Sequence, residues 1–546
     1  MAYNLIDERW IPVERRSGRT DWIAPSGIVD PRDPPVRIAS PRPDFDGGLL
    51  EFLIALLQTA AAPKTEKAWE KLFSAPPSAT ELDRKFQSVR DAFNLDGDGP
   101  RFMQDLTVAD EDEATEVEIG ALLIDRIGEK GLSESPTLFA KPGGFDALAY
   151  PVAAAALIVL QTYAPAGGRG QLTSLRGGGP LTTLVAADTL WETAWLNVLP
   201  ETVFADRVRG DPRLEAPGAV FPWTARTRVS SARGGRATPP QAIHPLQHLW
   251  GLPRRFRLVF QQGDTGECGI SGHVGVPVVR TFKSRPGGTS YEGDFRHPWT
   301  PYSLVSPGQP WNPKKGSPDG LPYRDWPQLV TGSENRRPAT VVTYFAQTRR
   351  RELVKQPRLL AFGYAMSNMK PLQWCKSETP LVTVDEANAA SFSADVETLI
   401  AVSEEVRATL SKQLKSAWSD RPADLDVFPQ LNPAFWSTTE AGFFETVQAI
   451  KRSLEDRVQA CRDAAKDGWL QTLHLAAIHL FDTFLDVSAS LATPELRRAV
   501  LARRDLVMFT HPSSRKLRRI LSLPVESDGR SPTQPARRTV RKEKTT

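Results

Sequence analysis

The residues of this sequence that could bind a phosphate group lie in a glycine-rich segment, residues 164–184. The segment contains six glycines and two arginines, Arg169 and Arg176. Glycines let a backbone approach a ligand closely because they carry no Cβ, and the arginine fork matches phosphate oxygens. The segment therefore predicts a phosphate or nucleic-acid contact with both arginines available, or alternatively a mobile surface turn.

Two nucleotide-binding motifs are excluded in this segment. A Walker loop needs a lysine after its glycines, and the sequence has no lysine in residues 142–282. The dinucleotide fingerprint G-x-G-x-x-G begins at Gly168 and Gly170 but has Thr173 in place of its third glycine. A nucleotide site built on either motif is not expected.

Motifs for metal or hydrolytic chemistry are also incomplete. His474 and His479 lie on one predicted helix, but a spacing of five residues turns their imidazoles about 140° apart. Cys268 and His273 are two ligands, whereas a structural zinc site needs four. The patterns G-x-S-x-G and H-E-x-x-H do not occur in the sequence. These observations predict no metal, no cofactor and no catalytic residue.

Composition indicates a globular chain of two to four domains. Of the 546 residues, 40% are hydrophobic and 24% are charged, which excludes wholesale disorder. The 68 basic and 64 acidic residues give a net charge of +4, which does not by itself indicate nucleic-acid binding. Three cysteines without a C-x-x-C pair fit a reducing compartment.

The sequence contains no pattern typical of an exported or membrane-spanning protein. Its first residues, MAYNLIDERW, lack the basic head and apolar core of a signal peptide. The most apolar run, residues 152–160, is shorter than the roughly 20 residues of a membrane helix. We therefore predict a cytoplasmic protein without a membrane partner.

The pattern predicts an α+β fold, with a large irregular mixed domain over residues 1–385 that positions the glycine-rich segment. Within this domain, GGLLEFLIALLQTAAAP and YPVAAAALIVLQTYAP predict two buried helices that end at prolines. Short alternating strands and proline-rich connections make up the rest. Residues 526–546 are basic and lack apolar periodicity, which predicts a disordered tail.

Helical periodicity predicts a C-terminal four-helix bundle over residues 393–524. Two further helices are expected over residues 470–485 and 495–508. The apolar stripes of the first two helices are Val396, Leu399, Val406, Leu410, Leu414 and Trp418, and then Val447, Ile450, Leu454, Val458 and Cys461.

Several phrases, in their order along the chain, resemble one protein family. They are NLIDERWIPV, LFAKPGG, SLRGGGPLTTL, HLWGLPRRFRL, RHPWTPY, YRDWPQLV, FGYAMSNMKPLQW and FWSTTEAGFFE. The sequence is similar to the CasA family, the large subunit of the type I-E CRISPR surveillance complex called Cascade. Each phrase alone is weakly specific, but their order covers nearly the whole chain.

The resemblance implies a non-enzymatic protein of antiviral defence. Members recognise the protospacer-adjacent motif, PAM, in double-stranded DNA through the minor groove, and they open the duplex beside it to start R-loop formation. The implied partners are target DNA, CRISPR RNA, the other Cascade subunits and a helicase-nuclease effector. The family fold is likewise an irregular α+β domain followed by a four-helix bundle.

The resemblance also assigns roles to particular residues. The family's glycine loop, which lies against the PAM, matches Ala166, Gly167, Gly168, Arg169 and Gly170, with Arg169 where some relatives carry a glycine. The family's wedge, a hairpin tip that enters the duplex, matches Ser367, Asn368, Met369 and Lys370.

Further matches are looser or incomplete. A lysine finger of some relatives falls in the loop SLVSPGQPWNPKKG, whose lysines are Lys314 and Lys315, whereas an ungapped match places Pro307 near that position. Phe139 and Lys141 match the loop that meets the guide RNA end and the seed region. Many relatives carry four cysteines around a zinc ion near Cys268; this chain has only that one there, so no zinc is expected.

Two other functions stay open at this point. The chain could be a phosphate- or nucleotide-binding enzyme built on the glycine-rich segment, in which case it would turn over nucleoside triphosphates. It could also be a purely structural scaffold subunit, in which case it would not distinguish duplexes of different sequence.

Overall fold

The computed structural model divides the chain into two units, residues 1–384 and residues 385–546. The predicted tail, residues 526–546, lies outside the part that the structure describes. The described residues are 2–108, 111, 113–126, 146–167, 170–230, 237–349, 354–367, 369–419, 421, 429–485 and 493–525.

The strands of the N-terminal unit form small antiparallel sheets. In the described residues there are five sheets of three strands, with the orders β2-β1-β3, β4-β10-β7, β12-β11-β13, β15-β14-β6 and β5-β9-β8. The strands are β1 (Ile11–Arg15), β2 (Thr20–Ile23), β3 (Pro35–Ile38), β4 (Thr115–Glu118), β5 (Leu148–Ala149), β6 (Thr182–Ala186), β7 (Arg255–Val259), β8 (Thr265–Gly266), β9 (Val276–Val279), β10 (Thr281–Arg285), β11 (Tyr302–Ser303), β12 (Asn312–Pro313), β13 (Arg336–Arg337), β14 (Arg358–Ser367) and β15 (Lys370–Pro380).

Helices of the same unit cover these sheets. They are α1 (Pro43–Ala60), α2 (Glu66–Ser74), α3 (Ala79–Phe86), α4 (Tyr150–Tyr163), α5 (Leu190–Leu196), α6 (Glu201–Arg207), α7 (Trp326–Val330) and α8 (Thr340–Thr348). The two buried helices predicted from the sequence are confirmed as α1 and α4. Each has a proline in its first turn, where the missing N–H costs nothing.

The core of the N-terminal unit is aromatic and surrounds α1. Phe52 on α1 contacts the rings of Trp10, Phe93, Phe102 and Trp250 edge to face, at centroid distances of 5.1 to 6.1 Å. α4 has no polar face, because nearly all its residues are buried. These two helices form the rigid base under the glycine-rich segment, which follows α4 directly.

The C-terminal unit is helical. Its described elements are α9 (Glu386–Trp418), α10 (Leu431–Glu455), α11 (Gln459–Leu485), α12 (Thr493–Thr510) and the short α13 (Arg515–Ile520). The predicted first stripe lies on α9 and is buried from Val396 to Leu414, but Trp418 at the helix end is 40% exposed. The predicted fold class, α+β with a C-terminal helical bundle, is confirmed.

One predicted helix boundary in the bundle is wrong. The stripe from Val447 to Cys461 does not lie on one helix, because α10 ends at Glu455 and α11 begins at Gln459. Arg457 has a φ of 56°, the left-handed conformation that ends helices. Val458 therefore lies in the turn, and Cys461 is an exposed residue of α11.

No helix of the described ranges combines the length and the apolar character needed to cross a membrane.

Candidate nucleic-acid interface

The glycine loop, residues 166–170, follows α4, and the structure describes Ala166, Gly167 and Gly170 of it. The Gly167 N–H donates to the Gln171 carbonyl at 3.1 Å, which closes the turn. Gly170 has a φ of 71°, and a Cβ there would lie 3.0 Å from Cβ of Pro286. The positive φ of Gly170 favours glycine, and a Cβ there would also make a tight contact with Pro286. Gly168 and Arg169 of the predicted loop lie outside the described residues.

Arg254 holds both sides of the glycine loop. Its Nε donates to the Leu172 carbonyl at 3.1 Å, and its Nη2 donates to the Pro165 carbonyl. The backbone of Arg254 is fixed in turn by the Gln161 amide of α4, which accepts at 3.1 Å and donates at 2.9 Å. Burial lowers the pKa of Arg254 to about 10. Sequence reasoning included this arginine in the phrase HLWGLPRRFRL but assigned it no role.

Arg176 is not available for a phosphate, so that prediction is wrong. Its side chain is 2% exposed and pairs with Glu51, with Nη1 and Oε1 2.8 Å apart. Its Nε also donates to Thr300 Oγ1 at 2.7 Å, and its Nη2 donates to Thr182 Oγ1. Burial favours the neutral form, but the Glu51 carboxylate raises the pKa of Arg176 above its ordinary value. Arg176 therefore anchors the segment to α1.

The predicted wedge lies at the tip of the β14–β15 hairpin. Ser367 pairs with Lys370 across the tip, which leaves a two-residue turn. Met369 has a φ of 62° and is 66% exposed. Ser367 and Lys370 are also exposed, whereas Asn368 lies outside the described residues. A register shift next to the tip makes Leu372 the extra residue of a β-bulge, which bends the strand locally.

The lysine loop, residues 303–316, contains two lysines whose side chains have different surroundings. Lys314 Nζ lies 3.1 Å from Asp325 Oδ1 and donates to Gln328 Oε1 at 2.7 Å, and the side chain is 19% exposed. An ion pair and a hydrogen bond inside the fold therefore already occupy it. Lys315 is exposed. Of the two predicted lysines, only Lys315 presents its charge to solvent.

Backbone contacts join the lysine loop to the glycine-rich segment and to the hairpin. Lys315 bridges to Pro180, which follows the glycines, and Gly316 bridges to Ala365 of β14. A Cβ at Gly316 would lie 2.9 Å from the Ala365 nitrogen, so the lysine loop lies directly against the hairpin. The lysine loop is therefore in backbone contact with two segments that are distant from it in sequence.

A second close approach joins the glycine-rich segment to the hairpin. Gly179 has a φ of 62° and its N–H donates to the Tyr163 carbonyl at 2.8 Å. A Cβ at Gly179 would lie 2.5 Å from Cγ of Met366 and 2.9 Å from the Tyr364 carbonyl oxygen. Gly179 thus packs directly against β14, where a Cβ would collide with the hairpin.

The remaining candidates lie apart from these segments or outside the described residues. Phe139 and Lys141, which the resemblance places near the guide RNA, lie outside the described residues. Cys268 is buried in the turn between β8 and β9, where its N–H donates to the His273 carbonyl at 2.9 Å. Within the described ranges, no three His, Cys, Asp or Glu side chains are grouped to hold a metal ion.

The two bundle histidines are separated, as their spacing predicts. His474 is buried and its Nδ1 lies 2.9 Å from Thr510 Oγ1, whereas His479 is exposed.

Comparison with known proteins identifies one family. The family model described as CRISPR-associated protein Cse1 matches residues 4–480. A curated relative, the CRISPR-associated protein CasA/Cse1 of Thermus thermophilus, is 31% identical over 257 residues. These residues are 43% of this chain and 48% of the relative, so the match spans about half of the relative's length.

Solved structures share the fold. Thermobifida fusca Cse1 matches with a TM-score of 0.69 at 15% identity, over 95% of this chain and 98% of that chain. Thermus thermophilus CasA (Cse1) matches with a TM-score of 0.64 at 19% identity, over 93% and 100%. A chain of a CRISPR RNA-guided surveillance complex matches with a TM-score of 0.59 at 15% identity, over 93% and 99%.

Proposed function

Because the chain belongs to the CRISPR-associated Cse1 family, we propose that it is the large subunit of an RNA-guided surveillance complex. In this role it recognises a PAM in duplex DNA and opens the duplex beside it. The observation that carries the proposal is the packing of the lysine loop against both the glycine-rich segment, at Pro180–Lys315, and strand β14 of the hairpin, at Gly316–Ala365.

The glycine loop is suited to reading a minor groove. Its backbone can approach base edges because it lacks side chains at Gly167 and Gly170, and Arg254 holds its two ends. The minor groove distinguishes mainly A·T from G·C pairs. A subunit that reads PAMs in this way tolerates several related sequences. Lys315, the exposed lysine of the neighbouring loop, supplies a phosphate or groove contact.

The hairpin tip is suited to separating the strands. An exposed Met369 stands between the polar Ser367 and the cationic Lys370, so the tip offers an apolar group to the stacked bases and a charge to the phosphates. Unstacking costs a few kcal/mol per base step, which groove and backbone contacts must offset. Guide pairing then extends the opening, as in other RNA-guided systems.

The remaining parts of the proposal concern partners. The surveillance-complex chain to which this fold is similar supports assembly with CRISPR RNA and further subunits. We assign contact with the guide to the loop of Phe139 and Lys141. The helical unit is the part that docks onto neighbouring subunits, and a recruited helicase-nuclease performs the subsequent cleavage. The subunit itself performs no chemistry in this proposal, since the glycine-rich segment lacks the lysine of a phosphate loop.

The decisive experiment compares strand opening on two targets. Complexes carrying Ser367→Ala with Asn368→Ala are given a fully paired target and one with mismatched base pairs beside the PAM. We expect the variant to open the paired target at least tenfold more slowly than wild type. On the mismatched target the defect should nearly vanish, because the unstacking cost of a few kcal/mol has been removed.

A matched control keeps the interpretation specific. Ser333→Ala with Asn335→Ala removes a similar pair of exposed polar side chains in another turn of the same unit, where Ser333 Oγ donates to Asn335 Oδ1 at 2.9 Å. This variant should open both targets at the wild-type rate. An equal defect of the hairpin variant on both targets would show that these residues do not wedge the duplex. A wild-type complex that binds duplexes of every sequence alike would instead support a pure scaffold.

A further inference from the structure

Two arginines of the N-terminal unit pair with one carboxylate, and the charge of a third arginine acts on all three groups. Asp294 Oδ2 lies 2.8 Å from Arg209 Nη1 and 3.7 Å from Arg296 Nη2. The charges of Arg296, Asp294 and Arg209 all influence the pKa of Arg337. Arg209 and Arg296 side chains are each 40% exposed, so the cluster faces solvent. One negative charge therefore faces three positive charges.

Arg337 is held in place by an aromatic ring. Its guanidinium carbon lies 3.7 Å from the centroid of the Trp311 ring, a cation–π contact that orients the planar fork. Arg337 belongs to β13 and pairs with Tyr302 of β11, which pairs on its other side with Pro313 of β12. Arg337 is thus held on a small sheet, whereas Arg209 and Arg296 lie in the connections between elements.

The cluster is not electrically balanced by the fold. Burial, together with the charges of Arg296 and Arg209, lowers the pKa of Arg337, and the single carboxylate of Asp294 opposes this only in part. Arg296 Nε is buried and has no hydrogen-bond partner among the residues that the structure describes. An incoming anion would relieve the repulsion and supply acceptors for the guanidinium donors.

We propose that Arg209, Arg296 and Arg337 form a phosphate-binding site for the backbone of duplex DNA. The proposal rests on the proposed function, since it names a further part of the target that the same subunit binds. Planar arginine forks suit phosphodiester oxygens, and Trp311 limits the directions in which the Arg337 fork can point.

The position of the cluster favours duplex DNA over the guide RNA. β12 ends at Pro313, and the next two residues are Lys314 and Lys315, the latter bridged to Pro180 of the glycine-rich segment. The sheet that carries Arg337 is therefore linked through β12 to the lysine loop, and through that loop to the glycine-rich segment. A duplex bound at these segments extends for many phosphates beyond its PAM, and these carry no sequence information.

The test is a salt titration of target binding by the assembled complex. Arg296→Gln with Arg337→Gln should lower the slope of log affinity against log salt by about 0.9 for each phosphate that is no longer bound, about 1.8 in total. Wild type should therefore lose about 12-fold more affinity than the variant between about 50 and 200 mM salt. The preference among PAM sequences should stay unchanged, because phosphate contacts do not read bases.

Two further variants exclude trivial explanations. Arg213→Gln with Arg19→Gln removes two exposed arginines of the same unit, 88% and 66% exposed, and should leave the slope unchanged. Asp294→Asn removes the only carboxylate found in the cluster and should tighten binding several-fold, an outcome that misfolding does not produce. Inorganic phosphate at constant ionic strength should compete only weakly with DNA for this site on the wild-type complex. A free ion makes one contact, whereas the duplex is also held by its other contacts.

The outcomes separate this inference from the proposed function. An unchanged slope with intact PAM preference overturns the arginine site alone. Failure of the arginine variant to join the guide-containing complex also overturns it, because the cluster would then contact the guide or another subunit. A wild-type complex without PAM preference overturns the proposed function, while an arginine-dependent slope on those duplexes would still support a phosphate site.

Discussion

Arg254 determines where the glycine loop lies, although it cannot contact DNA itself. Its guanidinium is committed to the Pro165 and Leu172 carbonyls. We expect Arg254→Met, which keeps the apolar stem, to lower binding of a PAM-containing target at least tenfold, since hydrogen bonds from charged donors contribute about 1.5 to 3 kcal/mol each. The salt slope should not change, because the variant keeps every phosphate contact.

Arg254→Lys provides the conservative comparison. A lysine keeps the charge but cannot serve both carbonyls with a planar fork, so its binding should fall between wild type and Arg254→Met. Circular dichroism and a thermal melt verify that both variants fold. Wild-type affinity in a folded Arg254→Met variant would show that binding does not depend on the hydrogen bonds from Arg254 to the glycine loop.

At the level of single residues, the sequence predicts types of chemistry but not burial. Arg176 and Lys315 are both basic residues that directly precede a glycine, yet Arg176 is buried against Glu51 and Lys315 is exposed. Lys314 differs from its neighbour because Asp325 and Gln328 reach it. Such partners lie far away in sequence or on another element, so local pattern does not identify them.

At the level of elements, the close fit of the lysine loop against the hairpin is expected to couple groove reading to strand opening. Gly316→Ala places a Cβ 2.9 Å from the backbone of Ala365 and Tyr364 and must displace one segment. Overpacking of this kind costs about 1 to 3 kcal/mol. We expect both PAM binding and the rate of opening on paired targets to fall about tenfold.

Gly332→Ala is the matched control for this element. A Cβ there meets only ordinary contacts, at 3.6 Å or more, close to β13 in the same unit. It should bind and open targets as wild type does. If Gly316→Ala reduced binding but left the opening rate of bound complexes intact, the lysine loop and the hairpin would act independently.

Element prediction succeeded where a pattern was long and failed at short connections. The proline-bounded apolar runs of α1 and α4 were identifiable because such runs have one stable arrangement, a buried helix. The turn between α10 and α11 was missed because Arg457 adopts a left-handed conformation without a glycine. The association of the hairpin with β6 depends on pairing across more than 170 residues, which no local periodicity encodes.

At the level of the whole molecule, the N-terminal unit encloses two neutral histidines that should make its stability depend on pH. His248 is 3% exposed and its Nε2 lies 2.7 Å from the Arg209 carbonyl oxygen, so Nε2 carries the proton and donates. Burial lowers the pKa of His248 to about 4, although that hydrogen bond opposes the shift. Burial and the charge of Arg176 lower the pKa of His297 still further below its ordinary value.

The direction in which stability changes with pH follows from the number of protons that the folded and unfolded states bind. An unfolded histidine titrates near 6.5, so between about pH 6.5 and 4 the unfolded chain takes up protons that buried His248 does not. Stability is therefore fully present above about pH 6.5 and falls as the pH drops through this window. His248 alone accounts for about 3 kcal/mol, from a difference of about 2.5 pKa units at about 1.36 kcal/mol each.

His248→Gln isolates this contribution, because a glutamine amide can still donate to the Arg209 carbonyl but does not titrate. Urea unfolding of the N-terminal unit, followed by fluorescence of its tryptophans at about pH 7, 5.5 and 4, gives the free energy of unfolding for both proteins. Carboxylates titrate equally in the two, so their effect cancels in the difference. At pH 7 we expect the variant to be less stable than wild type, because the neutral imidazole fits the site better than an amide does. On acidification to about pH 4, the free energy of unfolding of the variant should fall by about 3 kcal/mol less than that of wild type. Parallel losses in the two proteins would mean that His248 accepts a proton while folded, and the buried site would then have to admit water or an acidic partner.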